Sequence, residues 1–324
     1  MYRAPVRTVR VDEAFVPRDR QVVSTTTDSD RTVRLPDGRD LAYAQHGSAT
    51  GLPLLVFHGL PGSRLDLGMP GVDNALRERG MRALVIDRPG MGRSTPLPER
   101  RLLDWPADVV GFADAVGIDR FAVLGFSAGA PYALACADRC GERILAAGVV
   151  AASAPLDAAE LAPVLGPEAR WTHRWARWFP RRLKGSVRAQ AAQLAAPGVG
   201  ADELLPALAE ADRAILADPE VGGAWLASWR EGFRQGEDGP WWDLVVASRP
   251  WGFTLSEIEL PIQLWFGAED RQTPPGIGRY LANALRRSEA RLYSHEGHFS
   301  LLAGRWAEIL DGVATAVGRA AHRS

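Results

Sequence analysis

The most reactive pattern in the chain is a serine between two glycines, Gly125-Phe126-Ser127-Ala128-Gly129. It follows a short apolar run and precedes an alanine-rich segment, an order that predicts a strand, a sharp turn and a helix. Such a turn lifts the serine hydroxyl above a sheet, and its strained backbone needs small neighbours, which the two glycines supply. The helix N-terminus adds positive potential and free N–H groups. These features predict Ser127 as a nucleophile and the N–H of Ala128 as an oxyanion donor.

A second glycine-rich turn, residues 58–62, follows the apolar run 53–57. Its position after an earlier strand predicts that the N–H of Leu60 faces the same oxyanion, opposite the N–H of Ala128. His58 is a candidate base, but it precedes the serine, whereas the histidine of such an elbow usually comes last in the chain. We therefore interpret His58 as a residue that shapes the loop.

The catalytic acid is expected after the serine, at the end of a later strand. The apolar run 262–266 leads into Gly267-Ala268-Glu269-Asp270, where a carboxylate leaves the carboxyl end of the predicted strand. We choose Asp270 as the acid and keep Glu269 as the alternative. The carboxylate would hold the histidine in one tautomer and stabilise its charged form.

The catalytic base is expected last. A predicted strand at 290–293 leads to two histidines, of which we choose His298, because Gly297 permits a tight turn and a helix is predicted just after it. His295 is the alternative. A serine hydroxyl is a poor nucleophile until a base takes its proton, and an imidazole can do this and later protonate the leaving group. The pattern therefore predicts acyl transfer through Ser127.

The elements that position these residues follow from the pattern of apolar segments. Residues 32–45 predict a hairpin, and later apolar runs alternate with segments of helical periodicity. The runs are 53–57, 83–86, 121–124, 145–151, 262–266 and 290–293, and the helical segments are 65–79, 105–116, 128–138, 275–286 and 300–317. This alternation predicts an α/β fold with a mostly parallel sheet and helices on both faces.

The alternation stops at Pro155 and resumes near residue 262. We therefore divide the chain into an N-terminal arm (1–30), an α/β core (31–154 and 252–324) and a helical cap (155–251). Eight of the eleven tryptophans lie in the cap, where their spacing predicts helical stripes that either pack on the core or line a pocket for an apolar or aromatic substrate. The residues predicted to line such a pocket are Phe126, Trp171, Trp175, Trp178, Trp225 and Trp229.

The composition limits the classes of function. Lys+Arg number 38 and Asp+Glu 39, so the formal net charge is −1, which argues against nucleic acid or an anionic membrane as the main partner. No apolar run is long enough to predict a membrane span. The first twenty residues lack the apolar core of a secretory signal, so we expect a cytoplasmic protein.

Cysteine and lysine, which serve in zinc sites and in Schiff-base chemistry, are scarce. Cys136 and Cys140 cannot form a zinc site or a disulfide framework on their own, and their spacing predicts two buried residues on one helix face in a reducing compartment. The single lysine, Lys184, lies in an arginine-rich stretch, which argues against Schiff-base chemistry. We therefore predict no metal, no cofactor and a small-molecule substrate, and the sequence leaves the oligomeric state open.

The chain resembles the α/β-hydrolase superfamily, in its capped, esterase-like serine-hydrolase branch. The resemblance covers about residues 31–154 and 252–320 and rests on segments in a fixed order, which are 58–62, 87–94, 125–129, 267–270 and 297–298. It implies a mostly parallel sheet with an α-helical cap inserted after the sixth strand. It also implies Ser127, Asp270 and His298 as a catalytic triad, with Leu60 and Ala128 as oxyanion donors.

Departures from related patterns narrow the expected reaction. Epoxide hydrolases and haloalkane dehalogenases of this fold have aspartate in place of Ser127, and the elbow of prolyl aminopeptidases is bulkier than Phe126 and Ala128. We expect a serine hydrolase that cleaves a carboxylic ester, less readily an amide or thioester, of a hydrophobic small molecule through an acyl-enzyme. The alternatives are a non-hydrolytic enzyme of this fold (a lyase, cyclase or acyltransferase) and a ligand receptor on the same scaffold.

Overall fold

The central feature of the computed structural model, which describes residues 10–12, 28–205 and 208–321, is a mostly parallel sheet of nine strands. The strands are β1 (Arg10–Asp12), β2 (Asp28–Arg34), β3 (Asp40–Gly47), β4 (Leu52–Phe57), β5 (Met81–Ile86), β6 (Phe121–Phe126), β7 (Ile144–Val150), β8 (Ile262–Gly267) and β9 (Ser288–Tyr293). They lie in the order β1-β9-β8-β7-β6-β4-β5-β3-β2. Only the pairs β2·β3 and β3·β5 are antiparallel, so the predicted fold class is confirmed.

Eleven α-helices lie within the described residues. They are α1 (Val72–Glu78), α2 (Trp105–Ala115), α3 (Ala130–Arg139), α4 (Pro167–Trp178), α5 (Pro180–Ala195), α6 (Glu210–Ala217), α7 (Pro219–Gly232), α8 (Asp238–Ala247), α9 (Pro275–Ala284), α10 (Phe299–Gly304) and α11 (Trp306–Ala321). Helices α2, α3 and α9 contribute to the hydrophobic core on one face of the sheet, and α1 and α11 to the core on the other. Every residue of β6 and β8 is buried, because both faces of the sheet are covered.

Helices α4 to α8 form one insertion between β7 and β8, and no strand interrupts it among its described residues. Counted from β2, the insertion follows the sixth strand, and its role as a cap stays a prediction. The structure adds β1, which pairs in parallel with β9 at the edge of the sheet and is too short to show a periodic pattern. Apart from residues 10–12 and 28–30, the predicted N-terminal arm lies outside the described residues.

Candidate active site

Ser127 occupies the sharp turn between β6 and α3. Its φ of 53° lies in the left-handed region, which a residue with a side chain rarely adopts. A Cβ at Gly125 would lie 2.5 Å from the carbonyl oxygen of Gly129, and a Cβ at Gly129 would overlap the carbonyl oxygen of Phe57. The glycines therefore allow the close backbone approach on which the turn depends.

Asp270 and His298 form a buried hydrogen-bonded pair. Oδ2 of Asp270 lies 2.8 Å from Nδ1 of His298. The N–H groups of Gln272 and Thr273 donate to Oδ1 of Asp270 over 2.8 and 2.7 Å, and the Thr273 hydroxyl donates to Oδ2. These donors fix the carboxylate, so that it accepts the Nδ1 proton of His298 and leaves Nε2 for a second partner.

Ser127 and the Asp270–His298 pair lie at the same edge of the sheet. They follow β6, β8 and β9, which run in parallel. The ring centroid of Phe126, the residue before the serine, lies 5.0 Å from that of His298. Among the hydrogen bonds of the described residues, none joins the Ser127 hydroxyl to the imidazole. Catalytic hydrogen bonds of this kind often form only when a substrate is bound.

The loop that contains Leu60 lies against the serine turn. A Cβ at Gly59 would lie 3.3 Å from the ring of Phe126 and 3.6 Å from Cβ of Ser127. The N–H of Gly59 donates to Asp66 over 2.9 Å, whereas the N–H of Leu60 has no acceptor within the described parts of the chain. The arrangement thus leaves the Leu60 N–H able to bind an oxyanion.

Ala128 is the second predicted oxyanion donor. It follows Ser127 in the single 3-10 turn, Ser127–Gly129, that leads into α3. The first N–H groups of a helical segment have no acceptor within it, so they can donate to a ligand. The predicted pair of oxyanion donors therefore belongs to two different loops, each at the carboxyl end of a parallel strand.

His58 forms hydrogen bonds through both of its ring nitrogens. Its Nδ1 lies 2.9 Å from the carbonyl oxygen of Gly59, and its Nε2 accepts a hydrogen bond from the N–H of Arg88 over 3.2 Å. Burial, together with the charge of Arg88, lowers the pKa of His58 well below its ordinary value. A neutral ring with both nitrogens engaged supports the interpretation of His58 as a residue that shapes the loop.

Arg88 connects this loop to the insertion. Its guanidinium donates to the carbonyl oxygens of His58 and Gly59 over 2.5 and 2.9 Å, and to Asp243 of α8 over 2.7 Å. Both charged side chains are completely buried. Asp243 is not among the residues predicted from the sequence, although a single carboxylate in the apolar stretch Trp241-Trp242-Asp243-Leu244-Val245 is a usable signal.

Asp243 is the centre of a larger buried network. It also accepts hydrogen bonds from Arg100 over 2.9 Å and from the hydroxyl of Tyr132 over 2.6 Å. Burial alone would raise the pKa of Asp243, but the guanidinium groups of Arg88 and Arg100 hold it well below its ordinary value. The same burial raises the pKa of Tyr132, so its hydroxyl remains a donor. The network joins α3 of the core to α8 of the insertion.

Helix α7 contacts the same loop from another side. The hydroxyl of Ser228 donates to Oδ1 of Asp66 over 2.5 Å and accepts the N–H of Ser63 over 3.0 Å. Burial raises the pKa of Asp66 to about 6, although these donors oppose the shift. A Cβ at Gly232 would overlap the carbonyl oxygen of Gly62, so only glycine fits there. The insertion therefore holds the Leu60 loop through two helices.

The aromatic residues predicted to line a pocket divide into two groups. Phe126, Trp225 and Trp229 are buried and form ring contacts with one another and with Phe299, beside His298. By contrast, Trp171 and Trp178 are 59% and 65% exposed. Trp171 stacks on Trp175, which contacts Phe179. The ring contacts of the described residues thus bring only the first group to the histidine, and the substrate-binding role of all six residues stays a prediction.

Within the described residues, no group of three or more His, Cys, Asp or Glu side chains could hold a metal ion. Cys136 and Cys140 are buried thiols, as their spacing predicted. No helix in the described part of the chain combines the length and apolar character needed to cross a membrane.

Comparison with known proteins gives related enzymes. Over 108 residues the chain is 35% identical to a proline iminopeptidase of Xylella fastidiosa (strain 9a5c), and over 109 residues it is 31% identical to one of Xanthomonas citri. These matches cover 31% and 33% of this chain and 32% and 34% of the relatives, so the chain spans about a third of the length of the curated relatives it matches.

Solved structures match over most of the chain. An esterase from Thermogutta terrifontis is 22% identical, with a TM-score of 0.60, over 90% of this chain and 99% of the esterase. An enol-lactonase from Burkholderia xenovorans LB400 is 21% identical, with a TM-score of 0.61, over 88% of this chain and 100% of the lactonase. Such low identities support the fold alone. Residues 53–304 match the family described as "alpha/beta hydrolase fold". The chain therefore belongs to the α/β-hydrolase family.

Proposed function

We propose that the protein is a serine hydrolase that cleaves a carboxylic ester of a hydrophobic small molecule through an acyl-enzyme. The observation that carries the proposal is the buried hydrogen bond between Asp270 and His298, at the sheet edge where Ser127 occupies its left-handed turn. A hydrolase of this family needs a nucleophile, a base and an orienting acid, and these side chains supply all three.

The reaction begins when Nε2 of His298 accepts the proton of the Ser127 hydroxyl while the oxygen attacks the carbonyl carbon of the ester. The N–H groups of Leu60 and Ala128 stabilise the oxyanion that forms. When the carbon–oxygen bond to the leaving group breaks, His298 returns the proton to the leaving alcohol. Water then attacks the acyl-enzyme with the same base, which releases the acid and regenerates Ser127.

The buried rings beside His298 support an apolar acyl or alcohol group, because they offer few hydrogen-bond partners to a polar substrate and exclude water from the oxyanion. An amide substrate is the second candidate, and the similarity to proline iminopeptidases favours it. Both reactions use the same triad. They differ in the leaving group, which is an alcohol for an ester and an amine for an amide. An amine leaves only when His298 has protonated it, whereas an alcohol depends less on this proton transfer.

The test combines covalent labelling with a substrate panel. A fluorophosphonate should label the wild-type protein and Ser186→Ala, whose exposed serine lies on α5, but not Ser127→Ala. The substrate panel contains nitrophenyl esters of increasing acyl length and aminoacyl amides, including prolyl amides. Within this panel kcat/KM should be highest for an ester with an apolar acyl group. Faster turnover of the amides would establish the second candidate. Full labelling and turnover by Ser127→Ala would refute both.

Measurement in ¹⁸O-labelled water separates hydrolysis from other reactions of the same triad. Hydrolysis transfers one labelled oxygen to the acid product, because water attacks the acyl-enzyme. A product without label would instead show an acyltransferase, a lyase or a cyclase. Stoichiometric ligand binding without any product would show a receptor.

A further inference from the structure

A carboxylate of the insertion binds the backbone of the candidate base. Asp212 lies on α6 and is buried. Its Oδ2 accepts the N–H of His298 over 2.8 Å, and its Oδ1 accepts the N–H groups of Phe299 and Ser300 over 2.8 and 2.9 Å. Two carboxylates therefore act on one histidine, since Asp270 holds its ring and Asp212 holds its main chain.

The position of His298 explains why this carboxylate comes from elsewhere in the chain. Helix α10 begins at the next residue, so His298 is its N-cap, a position where Ser, Thr, Asp or Asn usually binds the first N–H groups. The imidazole makes no such capping bond, because it is bound to Asp270. Asp212 takes over the capping role from a separate helix.

The residue before the histidine fits the same arrangement. A Cβ at Gly297 would overlap all the carboxylate atoms of Asp212, so the close approach of this side chain requires glycine. The φ of Gly297 lies outside the left-handed region, so the backbone conformation does not require glycine there. The requirement comes instead from the space that the Asp212 carboxylate occupies. Within the described residues Asp212 has no ion-pair partner, and the three N–H groups are its compensation for burial.

We propose that Asp212 is a positioning residue for His298. By fixing the N–H of His298 and the start of α10, its carboxylate sets where the imidazole lies between Asp270 and Ser127. The catalytic geometry thereby depends on the packing of α6 against α10. The inference rests on the proposed function for its kinetic consequence, but its structural consequence can be measured without any reaction.

Asp212→Asn separates positioning from packing. The amide keeps the shape of the side chain, but it cannot serve all three donors, since one of its two polar atoms is itself a donor. Asp218→Asn is the matched control, because Asp218 caps α7 in the same insertion through the N–H groups of Glu220 and Val221 rather than through those of the His298 loop. We expect Asp212→Asn to reduce kcat by about 10- to 100-fold with little change in KM, and Asp218→Asn to leave kcat within about twofold.

The proton on Nδ1 of His298 provides a readout that needs no substrate. Its hydrogen bond to Asp270 should give a downfield ¹H NMR resonance, which His298→Gln would assign and which should persist in Ser127→Ala. We expect Asp212→Asn to shift or broaden this resonance and Asp218→Asn to leave it unchanged. If Ser127→Ala remains active while the resonance responds as expected, the proposed function fails and the positioning role stands.

Gly297→Ala tests the same contact from the other side, in case Asp212→Asn does not fold. The added methyl should displace the carboxylate and lower kcat by about the same factor. When Gly297→Ala is combined with Asp212→Ala, the methyl group at position 297 has no carboxylate to displace. This double variant should therefore be no slower than Asp212→Ala alone. Multiplicative losses in the double variant, or wild-type kcat and an unchanged resonance in Asp212→Asn, would overturn the proposal.

Discussion

Asp270 pairs with His298 in the interior, and the two residues that the sequence left as alternatives pair with each other at the surface. Glu269 lies 3.9 Å from Nδ1 of His295, and the side chains of these two residues are 43% and 66% exposed. The buried pair is held at 2.8 Å by a turn that fixes its carboxylate. The two pairs provide matched variants for the assignment of acid and base.

Asp270→Asn should lower kcat by about 10⁴-fold, because the amide no longer selects the tautomer that leaves Nε2 free to accept a proton. Glu269→Gln should keep kcat within about twofold of the wild-type value. Steady-state kinetics on one activated ester is the measurement. If the Glu269 variant loses more activity than the Asp270 variant, the acid has been assigned to the wrong residue.

Gly129→Ala should abolish the serine turn or destabilise the protein by about 3 kcal/mol or more, because the methyl group would overlap the carbonyl oxygen of Phe57. The control is Gly223→Ala in α7, where an added Cβ meets nothing within 4 Å. That variant should be stabilised by up to about 1 kcal/mol through helix propensity. Urea denaturation measures both free energies, and a neutral Gly129→Ala would contradict the tight turn.

Asp243→Asn should destabilise the protein by about 3–5 kcal/mol, because it leaves two buried guanidinium groups without their carboxylate. Asp238→Asn in the first turn of the same helix should cost less than about 1 kcal/mol, since the Asp238 side chain, which pairs with Lys184, is 73% exposed. Limited proteolysis should also cut the insertion faster in the Asp243 variant. Equal stabilities of the two variants would show that the buried network contributes little.

His46 should make the fold sensitive to acid. Burial lowers the pKa of His46 to about 4, although the Asp73 carboxylate opposes the shift. The folded protein therefore binds fewer protons than the unfolded chain between about pH 6.5 and pH 4, so stability is present above this window and is lost as the pH falls through it. Between about pH 7.5 and pH 5 the loss from this residue should be about 2 kcal/mol.

The measurement for His46 is a double difference. The free energy of unfolding in urea is compared at both pH values for the wild type and for His46→Leu, which has no proton to bind. Burial raises the pKa of Asp66 and of Asp87 to about 6, so these two groups stabilise the fold as the pH falls, in the opposite direction to His46. Because both carboxyl groups are present in the wild type and in His46→Leu, their contribution cancels in the double difference. An identical pH dependence in the two proteins would mean that His46 takes up its proton at the same pH in the fold as in the unfolded chain.

Local patterns were enough to predict the elements that carry the chemistry. The apolar runs of β6 and β8 are buried on both faces, and the glycines around Ser127 occupy positions where a Cβ does not fit. One helix was placed too early, since the apolar spacing predicted 65–79 and the structure begins α1 at Val72. The reason is local, because Pro70 and Gly71, whose φ is 81°, form a turn directly before α1 and interrupt the helical backbone there.

Contacts between distant segments could not be predicted in the same way. Arg88 and Asp243 are 155 positions apart, and Asp66 and Ser228 are 162 apart, so each bond depends on how the insertion docks rather than on any local preference. The spacing of Trp171, Trp175 and Trp178 correctly indicates one side of α4. It does not say what that side faces, and two of the three rings are mostly exposed.

The bonds from Asp212, Ser228 and Asp243 to loops of the core have a consequence for protein engineering. The insertion is not an exchangeable module, because a chimaera that grafts foreign helices between β7 and β8 would remove the anchors of both the Leu60 loop and the His298 loop. A library aimed at new substrates should therefore retain these three side chains. Diversity is better introduced at Trp171 and Trp178, whose rings are mostly exposed.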